Sequence, residues 1–481
     1  MRRYDLAVIG AGAGGLVAAL TAGRLGARVA LIERGRVGGD CTWTGCVPSK
    51  TLIASARRVH AIRTAGELGI EAGDPTVDFP AVMARVHSTI DRIAETEVTD
   101  LDEAGVELIR GSARFTGPGE LHVDGRGTLR WRKAIIATGS TALVPPIDGL
   151  DTVDPLTNET IFQLSELPPR LTVVGGGAIG LELGQAFARL GSEVTIIEQA
   201  DRVASREDAD ASVVVRRALE ADGVTIHTSA TAERFTSSSG DGAGTVHAST
   251  ADGAEIDVEF DRVVITIGRK PVTDGLDVSV AGVETDSGAV VVDERLRTAN
   301  PHVYAAGDCI AKLQFTHVAG YHGAIAATNA LLRLPTKVDH DPIPWATFTE
   351  PEMAQVGLTE QAAREAHDDV VVYRHDLADS DRAITEGAEA GFAKVVTTGR
   401  GRTIVGATVV GPTAGETIAE LALAMREGKS ATAMASVVHA YPTFSEAVPQ
   451  AALGALSEKA PLARRILRPV LAGLRVIDRP R

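Results

Sequence analysis

A strand-turn-helix-strand unit with glycines at fixed positions occurs twice in this chain, and it constrains the fold more than any other feature. In the first copy the apolar run Leu6-Ala7-Val8-Ile9 enters Gly10-Ala11-Gly12-Ala13-Gly14-Gly15. A helical pattern follows from Leu16 to Leu25, and a second apolar run, Val29-Ala30-Leu31-Ile32, ends at Glu33. Gly10 permits the tight turn, Gly12 lets backbone approach a pyrophosphate, and Gly15 lets the helix lie close to the strand. The helix N-terminus then faces phosphate, and Glu33 is placed for a ribose hydroxyl. In the second copy Leu171-Thr172-Val173-Val174 leads into Gly175-Gly176-Gly177-Ala178-Ile179-Gly180. A helix runs to Leu190, and Val194-Thr195-Ile196-Ile197 ends at Glu198. Both acids stand 18 residues after the third glycine. Two such units in one chain imply two dinucleotides, most simply a flavin and a nicotinamide.

The rest of the chain is consistent with a large soluble enzyme. Its 481 residues suffice for about three domains of ordinary size. Charged residues make up 23% and hydrophobic residues 44%, and the net charge of -15 argues against nucleic acid as a partner. The N-terminus runs straight into a strand, without a leader, and no apolar stretch is long enough to span a bilayer. Three cysteines are too few for a disulfide scaffold, so a reducing cytoplasm is expected.

Further along, residues 52–110 read mainly as helix, with apolar spacing through Val82, Val86, Ile90 and Ile93. Residues 111–133 read as short strands and turns, and Ala134-Ile135-Ile136-Ala137-Thr138-Gly139 as a buried strand with a turn that could approach a nucleotide. Val263-Val264-Ile265-Thr266-Ile267-Gly268 repeats that feature, and Ser/Gly-rich 236–244 reads as a hairpin loop. Val303 to Asp308 forms a further strand ending in Gly307-Asp308. From about 341 the pattern changes to strands at Ala354–Val356, Val370–Tyr373, Ala393–Val395 and Ile404–Val410 with two helices, a separate α+β domain.

Two thiols carry the chemistry. Cys41 and Cys46 lie in Gly38-Gly39-Asp40-Cys41-Thr42-Trp43-Thr44-Gly45-Cys46-Val47-Pro48-Ser49-Lys50, five residues beyond the first unit. A close pair beside a nucleotide cofactor suggests electrons passing to a reversible disulfide, since a thiolate must reach a disulfide sulfur. Cys309, after the Gly-Asp turn, reads as a buried small residue.

The thiol run, both glycine units, Ala137-Thr138-Gly139, Gly307-Asp308 and Tyr441-Pro442-Thr443-Phe444-Ser445-Glu446 occur in an order that resembles the flavoprotein disulfide reductases. That family includes dihydrolipoamide dehydrogenase, glutathione reductase, mercuric reductase and soluble transhydrogenase. The likeness runs from about residue 4 to 455, and the thiol run looks most like mercuric reductase and its relatives. It implies an α/β fold with two Rossmann-like dinucleotide-binding domains and a C-terminal α+β dimerisation domain. The implied boundaries are 1–150 with 271–340 for FAD, 151–270 for NAD(P), 341–458 for dimerisation, and 459–481 as a basic tail.

The resemblance also implies roles. FAD would lie against Gly10, Gly12, Gly14, Gly15, Glu33, Arg34, Gly39, Thr138, Gly139, Gly307 and Asp308. NAD(P) would lie against Gly175, Gly177, Ile179, Gly180, Glu198 and Gly268. Cys46 would be the thiolate at the flavin and Cys41 the thiol that meets the acceptor. Lys50 would stand beside the flavin, paired with Glu182, where a cation stabilises an anionic reduced ring. A homodimer with a shared site is implied, Tyr441 and Glu446 completing the partner's. Glu198 suits a free ribose hydroxyl, which favours NADH, although Arg202 leaves NADPH open.

One departure bears on the acceptor. Disulfide-reducing members carry a histidine five residues before the glutamate, where this chain has Tyr441 before Glu446; His439 comes two residues too early. A tyrosine used as a base at pH 7 costs about 4 kcal/mol, which an imidazole does not. Efficient lipoamide oxidation is therefore not expected, while reduction of a disulfide, metal ion or other small-molecule oxidant remains open. No cysteine follows Cys309 and no N-terminal Cys-x-x-Cys module is present, so mercury would have to be handled by Cys41, Cys46 and Tyr441 alone. Direct quinone reduction with incidental thiols, and a flavin-binding subunit without chemistry, are the alternatives. The tail 459–481 has seven Lys/Arg among leucines and reads as a helix packed on the dimer, with contact to an anionic membrane surface as its alternative.

Overall fold

The apolar runs of the first unit are strands because each is short, rich in β-branched residues and buried on both faces, as parallel strands between helices must be. In the computed structural model Arg3–Ile9 lies between Val29–Glu33 and Gly127–Ile136, parallel to both, and Glu107–Arg110 extends the parallel set beyond Val29–Glu33. Val303–Ala305 also runs parallel to Gly127–Ile136, so the Gly307-Asp308 turn leaves the same end of the sheet as the first glycine loop. Antiparallel Glu120–Val123 and Ala113–Gly117 complete this sheet. The structure describes residues 3–238, 242–399, 402–457, 467–469 and 471. Most of the tail 459–481 and the tip of the 236–244 connection lie outside them.

Helix α1 (Ala13–Arg24) follows the first glycine loop, α2 (Gly39–Trp43) carries Cys41, and α3 (Cys46–Arg63) starts on Cys46. Helix α4 (Phe79–Glu103) buries Met83, Val86, Ile90 and Ala94; Val82 and Ile93, expected on the inner face, are only half-buried. The expected stripe thus holds at its centre, at Val86 and Ile90, and differs at its two ends, where Met83 and Ala94 are buried in place of the neighbouring Val82 and Ile93. The i/i+3/i+4 pattern admits either choice because both members of each pair are apolar.

The second unit forms a four-stranded parallel sheet in the order Thr225–His227, Glu193–Ile197, Arg170–Val174, Arg262–Ile265, with α5 (Ala178–Leu190) after its glycine loop. Beside it Ala230–Ser237, Gly244–Thr250 and Glu255–Phe260 form an antiparallel meander, so the Ser/Gly-rich connection does join a hairpin. These elements belong to one compact unit, residues 1–64, 71–203 and 222–339.

The second compact unit comprises residues 65–70, 204–221 and 340–481. Its antiparallel sheet runs Pro344–Thr347, Glu352–Gly357, Thr403–Gly411, Phe392–Thr398, Val371–Asp376, one strand more than expected, packed against Ala414–Arg426 and Ala447–Ser457. Helix Ala209–Ala221, which follows the second nucleotide unit in sequence, belongs to this unit. Lys394 Nζ donates to Asp208 Oδ1 (2.9 Å), Asp210 Oδ2 (2.6 Å) and Glu360 Oε2 (3.1 Å) and so holds that helix's start on the sheet. Among the described residues no helix is long and apolar enough to cross a membrane.

Candidate active site

Each glycine loop is closed by the acid at the end of its second strand. Glu33 accepts from the backbone amides of Ala11 (Oε2, 2.7 Å) and Gly35 (Oε1, 2.6 Å). Glu198 does the same for Gly176 (Oε2, 2.5 Å) and Ala200 (Oε1, 2.7 Å). A carboxylate can accept about four hydrogen bonds, so each acid can brace its loop and still receive a ribose hydroxyl. A Cβ on Gly15 would stand 1.8 Å from the Gly10 carbonyl oxygen, and one on Gly180 2.0 Å from that of Gly175. Neither helix N-terminus has a side-chain cap, Gly12 and Gly177 standing at the two N-cap positions. The first-turn amides are therefore open to an outside acceptor, the arrangement that binds phosphate.

Several predicted residues gather around the first loop. Gly39 approaches Gly12 so closely that a Cβ on it would stand 2.6 Å from the Gly12 Cα, and the Gly38 amide donates to the Ala11 carbonyl (2.8 Å). Thr138 backs Gly10 and donates its hydroxyl to the Val272 carbonyl, while the Val272 amide donates to the Gly139 carbonyl (3.0 Å). Gly14 faces the Ala306 and Ala319 carbonyls, beside Gly307. Asp308 Oδ2 accepts from Ser140 Oγ (2.7 Å), and burial raises the pKa of its carboxyl. Arg34 is exposed beyond the strand, Ile179 is half-buried on the first turn of α5, and Gly268 stands open past the end of Arg262–Ile265.

The thiols meet at the start of α3. Cys46 accepts a hydrogen bond from Cys41, which together with the Thr316 hydroxyl (3.3 Å) and the Lys50 charge outweighs burial and lowers Cys46 to about 6. Cys41 moves the other way, because its proton is held between the sulfurs and it is partly buried. Helix α3 begins at Cys46, so its positive end adds to the same polarity. Cys309 is fully buried, pushed up to about 12 by desolvation, and takes no part.

Lys50 stands one turn along α3 from Cys46, hence on the same face. Its Nζ meets Glu182 Oε2 at 2.7 Å, the lysine partly exposed and the glutamate buried. The far ends of α3 and α5 are also tied: Arg63 donates to the Arg189 carbonyl (2.8 Å), and Asp222 accepts from Arg189, Gln185 and His60. A helix pair fastened at both ends keeps Lys50 and Glu182 in register.

In the second unit Tyr441 is exposed and donates its hydroxyl to Asp381 Oδ2 (2.6 Å), which raises its pKa. Glu446 accepts from Gln450 at 3.5 Å, while His439 pairs with Glu420 (2.8 Å). Within the chain it is Asp381 that holds the Tyr441 phenol.

Residues 4–323 match the pyridine nucleotide-disulphide oxidoreductase family, and residues 343–452 match that family's dimerisation domain. The chain belongs to this family. It is a flavoprotein oxidoreductase that uses FAD and a nicotinamide nucleotide. It is 37% identical to a mercuric reductase of Streptomyces lividans over 466 residues, 95% of this chain and 98% of the relative. It is equally 37% identical to a dihydrolipoyl dehydrogenase of Halobacterium salinarum over 461 residues, 94% and 96% of the two chains. Among solved structures, the Cu(II) complex of the HOCl-induced flavoprotein disulfide reductase RclA from Escherichia coli superposes with a TM-score of 0.83 at 29% identity, covering 94% of this chain and 99% of that one.

The residues present fit these cofactors. Uncapped helix ends suit the two pyrophosphates, and the braced acids suit the riboses. Asp308 stands on the glycine loop's end of the sheet.

Motif reading overlooked five polar residues around the thiols. Asp40, Ser140, Asn158, Arg269 and Thr316 come from five separate places in the chain. Arg269 had a sequence signal, since it directly follows Gly268 in the repeated strand-turn feature. Asp40 lies inside the thiol run itself, and the other three had no sequence signal.

Proposed function

We propose that this protein is an NAD(P)H-dependent reductase whose electrons leave through Cys41 and Cys46 to a thiophilic metal ion or another small oxidant. What FAD supplies when bound is two-electron exchange between the nicotinamide and the thiol pair. Reduction of the Cys41–Cys46 disulfide takes two electrons and one proton, giving a Cys46 thiolate and a Cys41 thiol. Lys50, held by Glu182, places a cation against that thiolate. Glu198 favours NADH.

The observation that carries the acceptor class is the fate of the remaining proton. It sits on Cys41, whose ionisation is suppressed, and Tyr441 with its proton committed to Asp381 is a poor base. Attack on a disulfide needs a deprotonated Cys41. A metal cation such as Hg(II) or Cu(II) displaces a thiol proton on binding, without a base. The names of the relatives support this reading: one is a mercuric reductase, and one structural neighbour is a Cu(II) complex. Residues 343–452 would form a homodimer in which Tyr441 and Glu446 complete the partner's site. The domain boundaries expected from sequence, the assigned cofactor contacts and a cytoplasmic location belong to the same proposal.

The test is NADH oxidation against Hg(II) with excess thiol, Cu(II) without added thiol, lipoamide, glutathione disulfide and a small quinone. Turnover is expected with the metals and lost about a hundredfold or more in Cys41→Ser, with quinone reduction retained. Undiminished metal reduction by Cys41→Ser would refute the thiol route. Strong lipoamide turnover would refute the reading of Tyr441.

A further inference from the structure

The structure assigns to Asp40 and Asn158 the role of positioning residues for the thiol pair, clamping the turn between Cys41 and Cys46 from outside it. This inference rests on the reading of that pair as the electron exit. The clamp has five polar contacts. Asn158 Nδ2 donates both to Asp40 Oδ1 (2.9 Å) and to the Thr44 carbonyl (3.2 Å), bridging the two ends of the turn. Thr44 Oγ1 donates to the same Asp40 oxygen (2.7 Å), and the Thr44 amide donates to the Asp40 carbonyl (2.8 Å). Arg269 meets the other carboxylate oxygen at 3.2 Å, so both Asp40 oxygens are engaged. Gly45, the last residue before Cys46, packs on this structure: a Cβ there would stand 2.9 Å from the Asp40 carbonyl.

The clamp also continues away from the thiols. Arg269 Nε donates to Ser140 Oγ (2.7 Å), and Ser140 Oγ donates to Asp308 (2.7 Å). One run of hydrogen bonds thus joins the acid assigned to the flavin with the turn that spaces the sulfurs. Asn158 is buried, its amide reaching the turn from a segment with no thiol of its own. A turn held at both ends keeps Cys41 where it donates to Cys46. Loosening the turn weakens that donation and lets Cys46 return toward an ordinary thiol.

Two uncharged variants test this without changing the local charge. Thr44→Val removes the hydroxyl isosterically, and Asn158→Leu removes the bridge. Cys46 ionisation would be followed in the reduced holoenzyme by ultraviolet thiolate absorbance, as the difference from Cys46→Ser. Each variant is expected to move it upward from about 6, by about half a unit or more for one hydrogen bond lost, with FAD content unchanged. An unchanged titration in both variants would overturn the positioning role, leaving the thiol route intact. Failure of the thiol route would appear separately, as metal turnover that survives Cys41→Ser.

Discussion

Lys394→Met should destabilise the C-terminal unit by about 3–4 kcal/mol at pH 7, and by much less at pH 5. Lys394 is 3% exposed and Asp208 2%, so this ion pair is shielded from water. Removing the ammonium costs the three carboxylates unequal amounts. Asp210 keeps Arg374 (2.7 Å) and Glu360 keeps Arg364 (2.8 Å). Asp208 retains the backbone amide of Asp210 (3.0 Å) and is left as a buried charge. Breaking a buried pair this way typically costs about 3–5 kcal/mol. Protonation sets a ceiling, because neutralising an ordinary aspartate carboxyl costs about 4 kcal/mol at pH 7 and about 1.5 kcal/mol at pH 5.

The wild-type network does not titrate across that window. Asp210 is held below the usual carboxylate range chiefly by Lys394, and Glu360 is held down by Arg364 and Lys394 against the opposing pull of burial. Their stabilisation is present above the unfolded carboxylate values, near 4, and is lost only as pH falls through the depressed folded values. Burial opposes the charge on Lys394, but Asp210 and Asp208 raise its pKa on balance. Its contribution is intact below the unfolded lysine value, about 10.4, and fades only as pH rises through the folded one. The difference between pH 7 and pH 5 therefore belongs to the variant. Urea unfolding at fixed protein and FAD concentrations would measure it, and Lys394→Met/Asp208→Asn should recover more than half of the loss, since asparagine keeps the cap without the charge. A variant as stable as wild type at pH 7, or an equal loss at both pH values, would refute the reasoning.

Two further substitutions separate the cofactor sites and examine the tyrosine. Gly15→Ala should yield protein without FAD, whereas Gly180→Ala should retain FAD but lose NADH oxidation, because each added methyl strikes its own loop's carbonyl; flavin absorbance and NADH turnover read the two outcomes, and FAD loss in both would show that the units are not separable. Asp381→Asn should lower the Tyr441 pKa, since the carboxylate raises it by hydrogen bonding and charge; tyrosinate absorbance against Tyr441→Phe checks this, and an unmoved titration would show that the pair does not persist in solution.

What could be read from sequence was local. The two glycine units span few enough residues that turn, helix and acid report one another through spacing, and their strands, braces and open helix ends all stand where that spacing put them. Lys50 was assigned with Cys46 through the family resemblance, and the structure sets the two one turn apart on α3. The Lys50–Glu182 pair crosses 132 residues, and only the family resemblance supplied it. Contacts without such support were missed. Asn158 reaches Asp40 across 118 residues and Thr316 reaches Cys46 across 270, and neither leaves a periodic trace.

The same limit shows elsewhere. The apolar face of α4 was read correctly at Val86 and Ile90 but not at its ends, because Val82 and Met83, like Ile93 and Ala94, are both apolar, and only the packed structure chooses between them. Helix Ala209–Ala221 follows the second nucleotide unit in sequence, and Lys394, 186 residues downstream of Asp208, ties its start to the C-terminal sheet. The helix's own composition holds no sign of this, because its partner is a single buried charge. Tyr441 shows how the two kinds of information meet. The family resemblance singled out the residue and its ordinary pKa made it a costly base, while the Asp381 hydrogen bond, 60 residues away, says where its proton goes. The proposed acceptor class rests on both together, since a thiol that keeps its proton and a phenol that has committed its own suit partners that take sulfur without first needing a base.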